Sequence, residues 1–237
     1  MHLPTNMELP SLRLDRVRWA CFAQTEQVLL LTAQGPSPPL ETLLQTANWL
    51  EYALGGSLME CIPAVNSLAL VFDPAQTDHQ ALVQQLAEMP EAPLASRSYR
   101  EWKIPVCYDV GPDWEEVLST SGLSRAEAME RHTQARYRMA LMGFVPGFLY
   151  LDGLPEVLSC PRKAQPRLRV PMGAVGIGGN QTGIYSLPSP GGWQLIGQVP
   201  ENFLARLHAE AGPQPGDYVQ FYSIPRSQFK TWKEPKV

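Results

Sequence analysis

The sequence predicts an α+β fold, in which a small N-terminal α/β sandwich domain precedes a β-barrel domain. Over about the first 92 residues, apolar runs typical of strands alternate with runs at helical spacing. From residue 136 onward, short β-like runs are separated by Pro and Gly, which is typical of a closed or nearly closed barrel. Between the two patterns, Pro, Ala and Ser at 90–98 mark a candidate linker. We therefore expect domains at 1–95 and 96–237.

The first domain is predicted to place helices on one face of a mainly antiparallel sheet. Its first helix has Leu and Ala at helical spacing, follows Pro38 and Pro39, and is stopped by Gly55 and Gly56. No element is predicted in the short polar start of the chain. In chain order, the pattern predicts strands at 16–23 and 28–32, a helix at 40–54, strands at 57–62 and 67–73, and a helix at 78–89.

The second domain is predicted to open with the strand EWKIPVCYD. Two short helices follow it. The first starts at Asp113 and is stopped near Gly122. The second starts at Ser124, where Glu127 three residues later completes a capping-box pattern. From residue 136, short β-like runs are predicted as far as the segment PGDYVQFYSIP at 215–225.

Composition narrows the classes of function. Of 237 residues, 44% are hydrophobic and 18% are charged, and the formal net charge is −4, so nothing marks a surface for nucleic acids or anionic membranes. The sequence shows no signal peptide and no apolar run of the roughly 20 residues that a membrane-spanning helix needs. Its four cysteines are far apart, without CxxC and without histidine at metal-ligand spacing. We expect a cytoplasmic protein with no bound metal or organic cofactor.

Familiar catalytic motifs are absent or incomplete. GIGGNQ at 176–181 begins like a dinucleotide-binding loop, but Gln181 occupies the last glycine position and no helical pattern follows. The sequence has neither GxxxxGK[ST] nor HExxH, and its four histidines are isolated from one another. Any catalytic site must therefore be assembled from residues that are distant in sequence.

The most unusual stretch is 176–197, which holds seven of the 18 glycines. Glycine permits turns and the close approach of another group to the backbone, so this part of the sheet is a candidate ligand-facing surface. Before it, two Pro-Arg pairs place Arg162 and Arg167 on extended or turning backbone, from which a guanidinium can reach a carboxylate or phosphate. The alternative is that both arginines form surface ion pairs.

Three ordered segments carry a resemblance to a known family. They are HTQARYRMALMGFVPGFLYLDGLP, PRKAQPRLRVPMGAVGIGGNQTGIY and SPGGWQLIG. Together they resemble the signature of the family variously called the B subunit of 5-oxoprolinase, KipI or allophanate hydrolase subunit 1. The similarity extends over roughly the whole second domain. The resemblance implies a small α/β domain followed by a cyclophilin-like β-barrel, with Gly-rich strands lining one side of the barrel.

The resemblance also implies a function. The family's bacterial members resemble one part of a three-part, ATP-dependent 5-oxoprolinase, which opens 5-oxo-L-proline to L-glutamate with ATP as co-substrate. The implied partners are a protein like the enzyme's C subunit, of carboxyltransferase fold, and a separate protein like its A subunit. Without them, this chain is expected to be inactive. One branch of the family is described as inhibiting a sensor histidine kinase, so a KipI-like regulatory binding protein is the alternative.

Candidate site residues follow from the implied reaction. The chemistry needs groups that hold anions, donors that stabilise an oxyanion, and a group that transfers a proton. The catalytic candidates are His132, Tyr150, Gln181 and Tyr185. The candidates for substrate or nucleotide binding are Arg162, Arg167, Thr182, Ser189 and Trp193.

Each candidate also has a structural interpretation. His132 lies in a predicted helix, where a histidine often packs or caps. Trp193 is large enough to fill the barrel core, and Tyr185 is able to form a hydrogen bond across the barrel. The Gly-rich face as a whole is either a ligand site or a surface buried against a partner protein.

Overall fold

A computed structural model describes residues 7–14, 17–36, 38–90, 98–209 and 211–233. The chain divides into two compact units, and the second of them begins at Ser98. Most of the predicted linker and the predicted boundary between residues 95 and 96 lie outside the described residues. The two units are therefore described separately.

The first unit consists of a five-stranded antiparallel sheet and two helices. Along the sheet, the strand order is β1-β2-β3-β5-β4. The elements are β1 (Met7–Leu14), β2 (Val17–Thr25), β3 (Val28–Ala33), α1 (Leu40–Leu54), β4 (Leu58–Pro63), β5 (Ser67–Phe72) and α2 (His79–Glu88). Strands β3 and β5 bury every second residue, and the apolar faces of both helices belong to the same core as those buried residues.

The strand β1 is absent from the sequence-based prediction, which assigns no element to this segment. The segment contains Pro10, which cannot donate a backbone hydrogen bond. Its pairing with β2 is irregular between Leu9 and Leu12, where the register shifts. Because β1 lies at the edge of the sheet, the proline is tolerated there. The other predicted elements of this unit are confirmed.

The second unit is built around a seven-stranded sheet and a separate two-stranded sheet. Its strands are β6 (Glu101–Val106), β7 (Tyr137–Met142), β8 (Leu149–Asp152), β9 (Arg167–Val170), β10 (Ala174–Gly178), β11 (Gln181–Ile184), β12 (Ser189–Gly191), β13 (Gln194–Gln198) and β14 (Tyr218–Ser223). Its helices are α3 (Trp114–Ser121), α4 (Arg125–Gln134), α5 (Glu201–Leu207) and α6 (Arg226–Phe229). Strands β9 and β12 form the small sheet.

The large sheet curves into a nearly closed barrel. Its order is β13-β10-β11-β8-β7-β14-β6, so β13 and β6 are the two edges. These edges meet where Cys107, directly after β6, pairs with Gln198 at the end of β13. The Cys107 N–H donates to the Gln198 carbonyl at 2.9 Å, and the Gln198 N–H donates back at 3.1 Å. The predicted α+β class, with a sandwich followed by a barrel, is confirmed.

Local sequence explains where the helices of the second unit begin and end. The capping box of α4 is complete, because Ser124 and Glu127 bond each other's backbone N–H groups. Helix α3 ends at Gly122, which adopts a left-handed conformation with φ of 69°. The prediction of β-like runs throughout this region is wrong at Glu201–Leu207, which form helix α5. This helix buries Phe203, Leu204 and Leu207. None of the described helices combines the length and apolar character needed to cross a membrane.

Candidate ligand-binding site

An open cavity of about 300 Å³ lies in the second unit beside the small sheet. Five of its lining residues are aromatic and two are cationic. The lining residues are Phe144, Phe148, Tyr150, Arg162, Lys163, Pro166, Tyr185, Pro190, Gly191, Gly192 and Trp193. The cavity therefore brings together four of the predicted site residues, Tyr150, Arg162, Tyr185 and Trp193. We call it the aromatic cavity.

Phe148 stands at the centre of the aromatic wall. Its ring centroid lies 4.5 Å from that of Tyr150, 4.9 Å from that of Tyr185 and 5.5 Å from that of Trp193. The contacts with Tyr185 and Trp193 are edge-to-face, the arrangement that aromatic quadrupoles favour. Phe148, Tyr185 and Trp193 are all buried. These rings fix one another, so the wall is preformed.

The glycines of the 176–197 stretch make room for this wall. A Cβ atom on Gly178 would overlap the indole of Trp193, and one on Gly191 would overlap the phenol of Tyr185. The close approach that the glycines permit is therefore made by the protein's own rings. The cavity in front of those rings is the space that remains for a ligand.

Phe144 stands at the rim of the aromatic cavity. It is 60% exposed, and its ring meets Phe148 edge-to-face at 5.7 Å. Its φ of 68° is positive, and among the described residues it is the only non-glycine residue with this property. A bulky residue in this region is strained, and such strain concentrates at functional sites.

Arg162 is the free cation of the aromatic cavity. Its guanidinium carbon lies 5.8 Å from the centroid of the Trp193 ring, and its side chain is exposed. Within the described part of the chain, it has no hydrogen bond and no ion pair. A guanidinium held over an indole with unused donors is suited to a carboxylate or a phosphate.

Arg167 and Lys163 have a different environment, because both bind the carboxylate of Asp113. Arg167 Nη2 lies 2.5 Å and Lys163 Nζ lies 3.3 Å from the same oxygen, Asp113 Oδ1. The structure therefore places Arg167 in an ion pair, whereas Arg162 lines the aromatic cavity and has no ion pair within the described residues. Sequence reasoning treated Asp113 only as the start of a helix, and nothing in its local pattern distinguished it.

His132 and Thr182 lie together inside the barrel, away from the aromatic cavity. Both are fully buried. His132 Nδ1 lies 2.7 Å from the hydroxyl of Tyr108, and Nε2 lies 3.1 Å from Thr182 Oγ1. Because Thr182 Oγ1 donates to the Gly176 carbonyl, it accepts from His132 Nε2–H, and Tyr108 then donates to Nδ1.

This network holds His132 as a neutral imidazole. Burial lowers its pKa to about 3, and its ring stacks on Phe221 with centroids 4.8 Å apart. Burial also raises the pKa of Tyr108 far above its usual value. Both imidazole nitrogens are occupied within the core, which is the arrangement of a structural histidine.

The remaining candidates lie outside the lining of the aromatic cavity. Gln181 begins β11, and its Nε2 donates to Asp152 Oδ1 at 2.7 Å. Ser189 begins β12, opposite Val170 of β9, and its hydroxyl is buried without a partner in the described residues. These positions place Gln181 in a surface hydrogen bond and Ser189 within the small sheet next to the cavity.

The two tyrosines of the aromatic cavity are hydrogen-bond donors near neutral pH. Burial raises the pKa of Tyr150, an effect that the nearby Arg162 partly offsets. Burial is also the main cause that raises the pKa of Tyr185. Both phenols therefore keep their protons, so they suit donation to a carbonyl oxygen better than removal of a proton.

The aromatic cavity is equipped for binding a compact ligand with an anionic group. Its volume is at the lower end of the range for small-molecule sites, about 300 to 1,000 Å³. The lining residues that the structure describes include neither a carboxylate nor an imidazole, so they supply donors and cations but no general base. Across the described ranges, His, Cys, Asp and Glu side chains form no group that could hold a metal ion.

Comparison with known proteins identifies the family. The model of the carboxyltransferase domain, subdomain C and D, matches residues 21–211. This chain belongs to that family. The match extends over part of each unit and includes every residue named above as lining the aromatic cavity, and it agrees with the resemblance that the sequence motifs show.

Two similar proteins carry the same name. A protein of Bacillus subtilis (strain 168), named as the B subunit of 5-oxoprolinase, is 37% identical over 208 residues, covering 79% of this chain and 85% of that protein. A protein of Escherichia coli O157:H7 with the same name is 36% identical over 215 residues, covering 88% of this chain and 96% of that protein.

A solved structure confirms the fold. The crystal structure of TTHA0988 matches with a TM-score of 0.69 and 35% sequence identity over 84% of this chain. This chain spans only 40% of the length of the TTHA0988 chain. The fold described above therefore occurs in that protein as part of a longer polypeptide.

Proposed function

We propose that this chain is a subunit of an ATP-dependent 5-oxoprolinase, which converts 5-oxo-L-proline to L-glutamate, and that the aromatic cavity holds the lactam. The observation that carries this proposal is the free guanidinium of Arg162 at the mouth of a rigid aromatic cavity. The two relatives described above, both named as the B subunit of 5-oxoprolinase, support the same reaction.

The substrate's groups match those of the aromatic cavity. 5-Oxoproline is a five-membered ring that carries one carboxylate and one amide. The carboxylate suits Arg162, and the ring's apolar faces suit the rings of Trp193 and Phe148. The protonated phenols of Tyr150 and Tyr185 are donors for the lactam oxygen, where negative charge develops during ring opening.

The same lining supports a requirement for ATP and further subunits. A lactam is a resonance-stabilised amide, and the described lining of the aromatic cavity offers neither a carboxylate nor an imidazole to activate water against it. Phosphorylation of the amide oxygen by ATP would activate the ring, and overall one lactam, one ATP and two waters give glutamate, ADP and phosphate. The partners that we propose are a protein like the enzyme's C subunit, of carboxyltransferase fold, and a protein like its A subunit.

The decisive experiment is a coupled assay that detects glutamate and ADP from 5-oxo-L-proline and ATP. We expect product only when this protein is combined with both partners. A folded, demonstrably assembled mixture that releases neither product would contradict the proposal. An accompanying block of histidine-kinase autophosphorylation by this protein would then identify it as a regulatory binding protein.

A pair of arginine variants connects the activity to the aromatic cavity. In the assembled enzyme, Arg162→Ala should raise KM for 5-oxoproline about tenfold or more, because a charge-assisted contact is lost. Arg169→Ala is the matched control, since Arg169 is also exposed but lines a different cavity. Equal effects of the two substitutions would show that the aromatic cavity does not hold the substrate.

A further inference from the structure

We propose that Asp113 is the positioning residue of the cationic rim, holding the segment 159–167 against the barrel so that Arg162 is presented to the aromatic cavity. The identity of the anion bound there rests on the proposed function, whereas the positioning itself rests on geometry. Asp113 does not touch the cavity. It acts through the segment that carries Arg162.

The contacts of Asp113 show what its carboxylate does. Asp113 occupies the N-cap position of α3, where aspartate usually accepts a bond from the helix, yet its side chain forms no capping bond. One oxygen, Oδ1, instead accepts from both Lys163 and Arg167. The other, Oδ2, accepts from the Leu195 N–H at 2.6 Å. The carboxylate therefore joins the 159–167 segment to strand β13.

Other contacts fix the segment on both sides of Arg162. Before it, Gln194 Nε2 donates to the Pro161 carbonyl at 3.0 Å. After it, the Lys163 N–H donates to the Gly192 carbonyl at 2.6 Å. Arg162 itself is free between these two anchors. The backbone on either side of the free cation is thus held while its side chain is left to meet a ligand.

The negative charge of the Asp113 carboxylate holds this arrangement together, because it pairs with both Lys163 and Arg167. Asp113 is only 7% exposed, and a carboxylate at that depth needs cations and donors around it. Arg167 Nη1 is also buried and has no partner in the described residues, so Arg167 depends on Asp113 for its compensation. Neutralising Asp113 would leave the partly buried guanidinium of Arg167 without a counter-charge and release Lys163. The segment would lose both of its attachments to Asp113 at once.

Hydrogen exchange on the purified chain tests the positioning without any substrate. In Asp113→Asn, we expect backbone amides of 159–167 to exchange about tenfold faster or more, because local opening becomes easier. Asp109→Asn is the control, since Asp109 is half-exposed and pairs with Arg125 at 3.5 Å. Unchanged exchange in this segment would overturn the proposal. If Asp113→Asn does not fold, Lys163→Met removes one attachment from the other side and the same criterion applies.

A double-mutant cycle in the assembled enzyme tests whether Asp113 acts through Arg162. Asp113→Asn should raise KM for 5-oxoproline about tenfold while kcat changes less than about twofold. In the Arg162→Ala background, the same substitution should raise KM less than about twofold, because the positioned group is already absent. Additive effects would overturn the proposal. A wild-type assembly that does not turn over 5-oxoproline would refute the proposed function, and the exchange result would still decide the positioning.

Discussion

Two clusters of polar and aromatic side chains lie in the second unit, and they differ in whether their polar groups are bonded within the protein. In the closed cluster inside the barrel, His132 is bonded by Tyr108 and Thr182 and every polar atom of its ring has a partner. In the open cluster, which is the aromatic cavity, Arg162 lies over Trp193 with its donors unused within the described chain. Polar and aromatic groups therefore complete the core in one place and leave donors for a ligand in the other.

This difference shows how to separate structural from ligand-facing polar groups. A buried polar group without a partner costs about 1–3 kcal/mol, so a closed hydrogen-bond network lowers the free energy of the folded state without a ligand. An exposed cation over an aromatic ring does not need a partner within the protein, so its donors remain available to a ligand.

Removing His132 should have the largest effect on stability. His132→Ala leaves a void in the barrel core and takes an acceptor from Tyr108 and a donor from Thr182. We expect the free energy of unfolding to fall by about 3–5 kcal/mol. Urea unfolding followed by tryptophan fluorescence measures this change.

The exposed His208 provides the control for that measurement. His208→Ala should change the free energy of unfolding by less than about 0.5 kcal/mol. If His132→Ala were equally mild and instead abolished turnover in the assembled enzyme, the closed cluster would have to be considered catalytic.

Adding one methyl group to the glycine beneath Trp193 should have the next largest effect. In Gly178→Ala, the new Cβ would overlap the indole, so the ring must move. We expect a loss of about 1–3 kcal/mol in the free energy of unfolding and weaker substrate binding, because the cavity wall is displaced. Gly56→Ala is the control, since a Cβ added at Gly56 would meet no atom within 4 Å. Identical stabilities for the two variants would show that Trp193 is not tightly packed there.

Acid should destabilise the closed cluster by a smaller amount. The pKa of His132 is lowered from the ordinary histidine value of 6.5 to about 3 in the folded protein, so the unfolded chain binds more protons between these values. Stability from this residue is therefore present above pH 6.5 and lost as the pH falls toward 3. Between pH 6.5 and 5 we expect about 1–2 kcal/mol to be lost.

The variant His132→Gln isolates this contribution, because glutamine does not titrate. Urea unfolding at several pH values should give a flatter profile for His132→Gln than for the wild type between pH 6.5 and 5. Parallel profiles would mean that His132 is not held neutral by the fold.

Truncating Arg162 should have the smallest effect on stability. Its side chain is exposed and has no hydrogen bond or ion pair in the described chain, so Arg162→Ala should change the free energy of unfolding by less than about 0.5 kcal/mol. Thermal unfolding of the isolated chain measures this. A loss above about 1 kcal/mol would place Arg162 among the structural residues and remove the contrast between the clusters.

Much of the fold could be predicted from the sequence because its determinants are local. The capping box of Ser124 and Glu127 and the stop at Gly122 define helix ends through bonds within a few residues. Strand β1 was missed because its edge position, which tolerates Pro10, is a property of the assembled sheet. Helix α5 was missed because only seven residues carry its pattern.

The sequence by itself determined the order of the two units and the family, and its nine candidate residues include four of those that line the aromatic cavity. Only the tertiary structure separated Arg162 from Arg167, because the carboxylate that binds Arg167 lies 54 positions away in the chain. It also placed His132 beside Thr182, 50 positions away, inside the barrel. Whether a polar group is satisfied depends on partners that the fold brings together, and no local pattern records those partners.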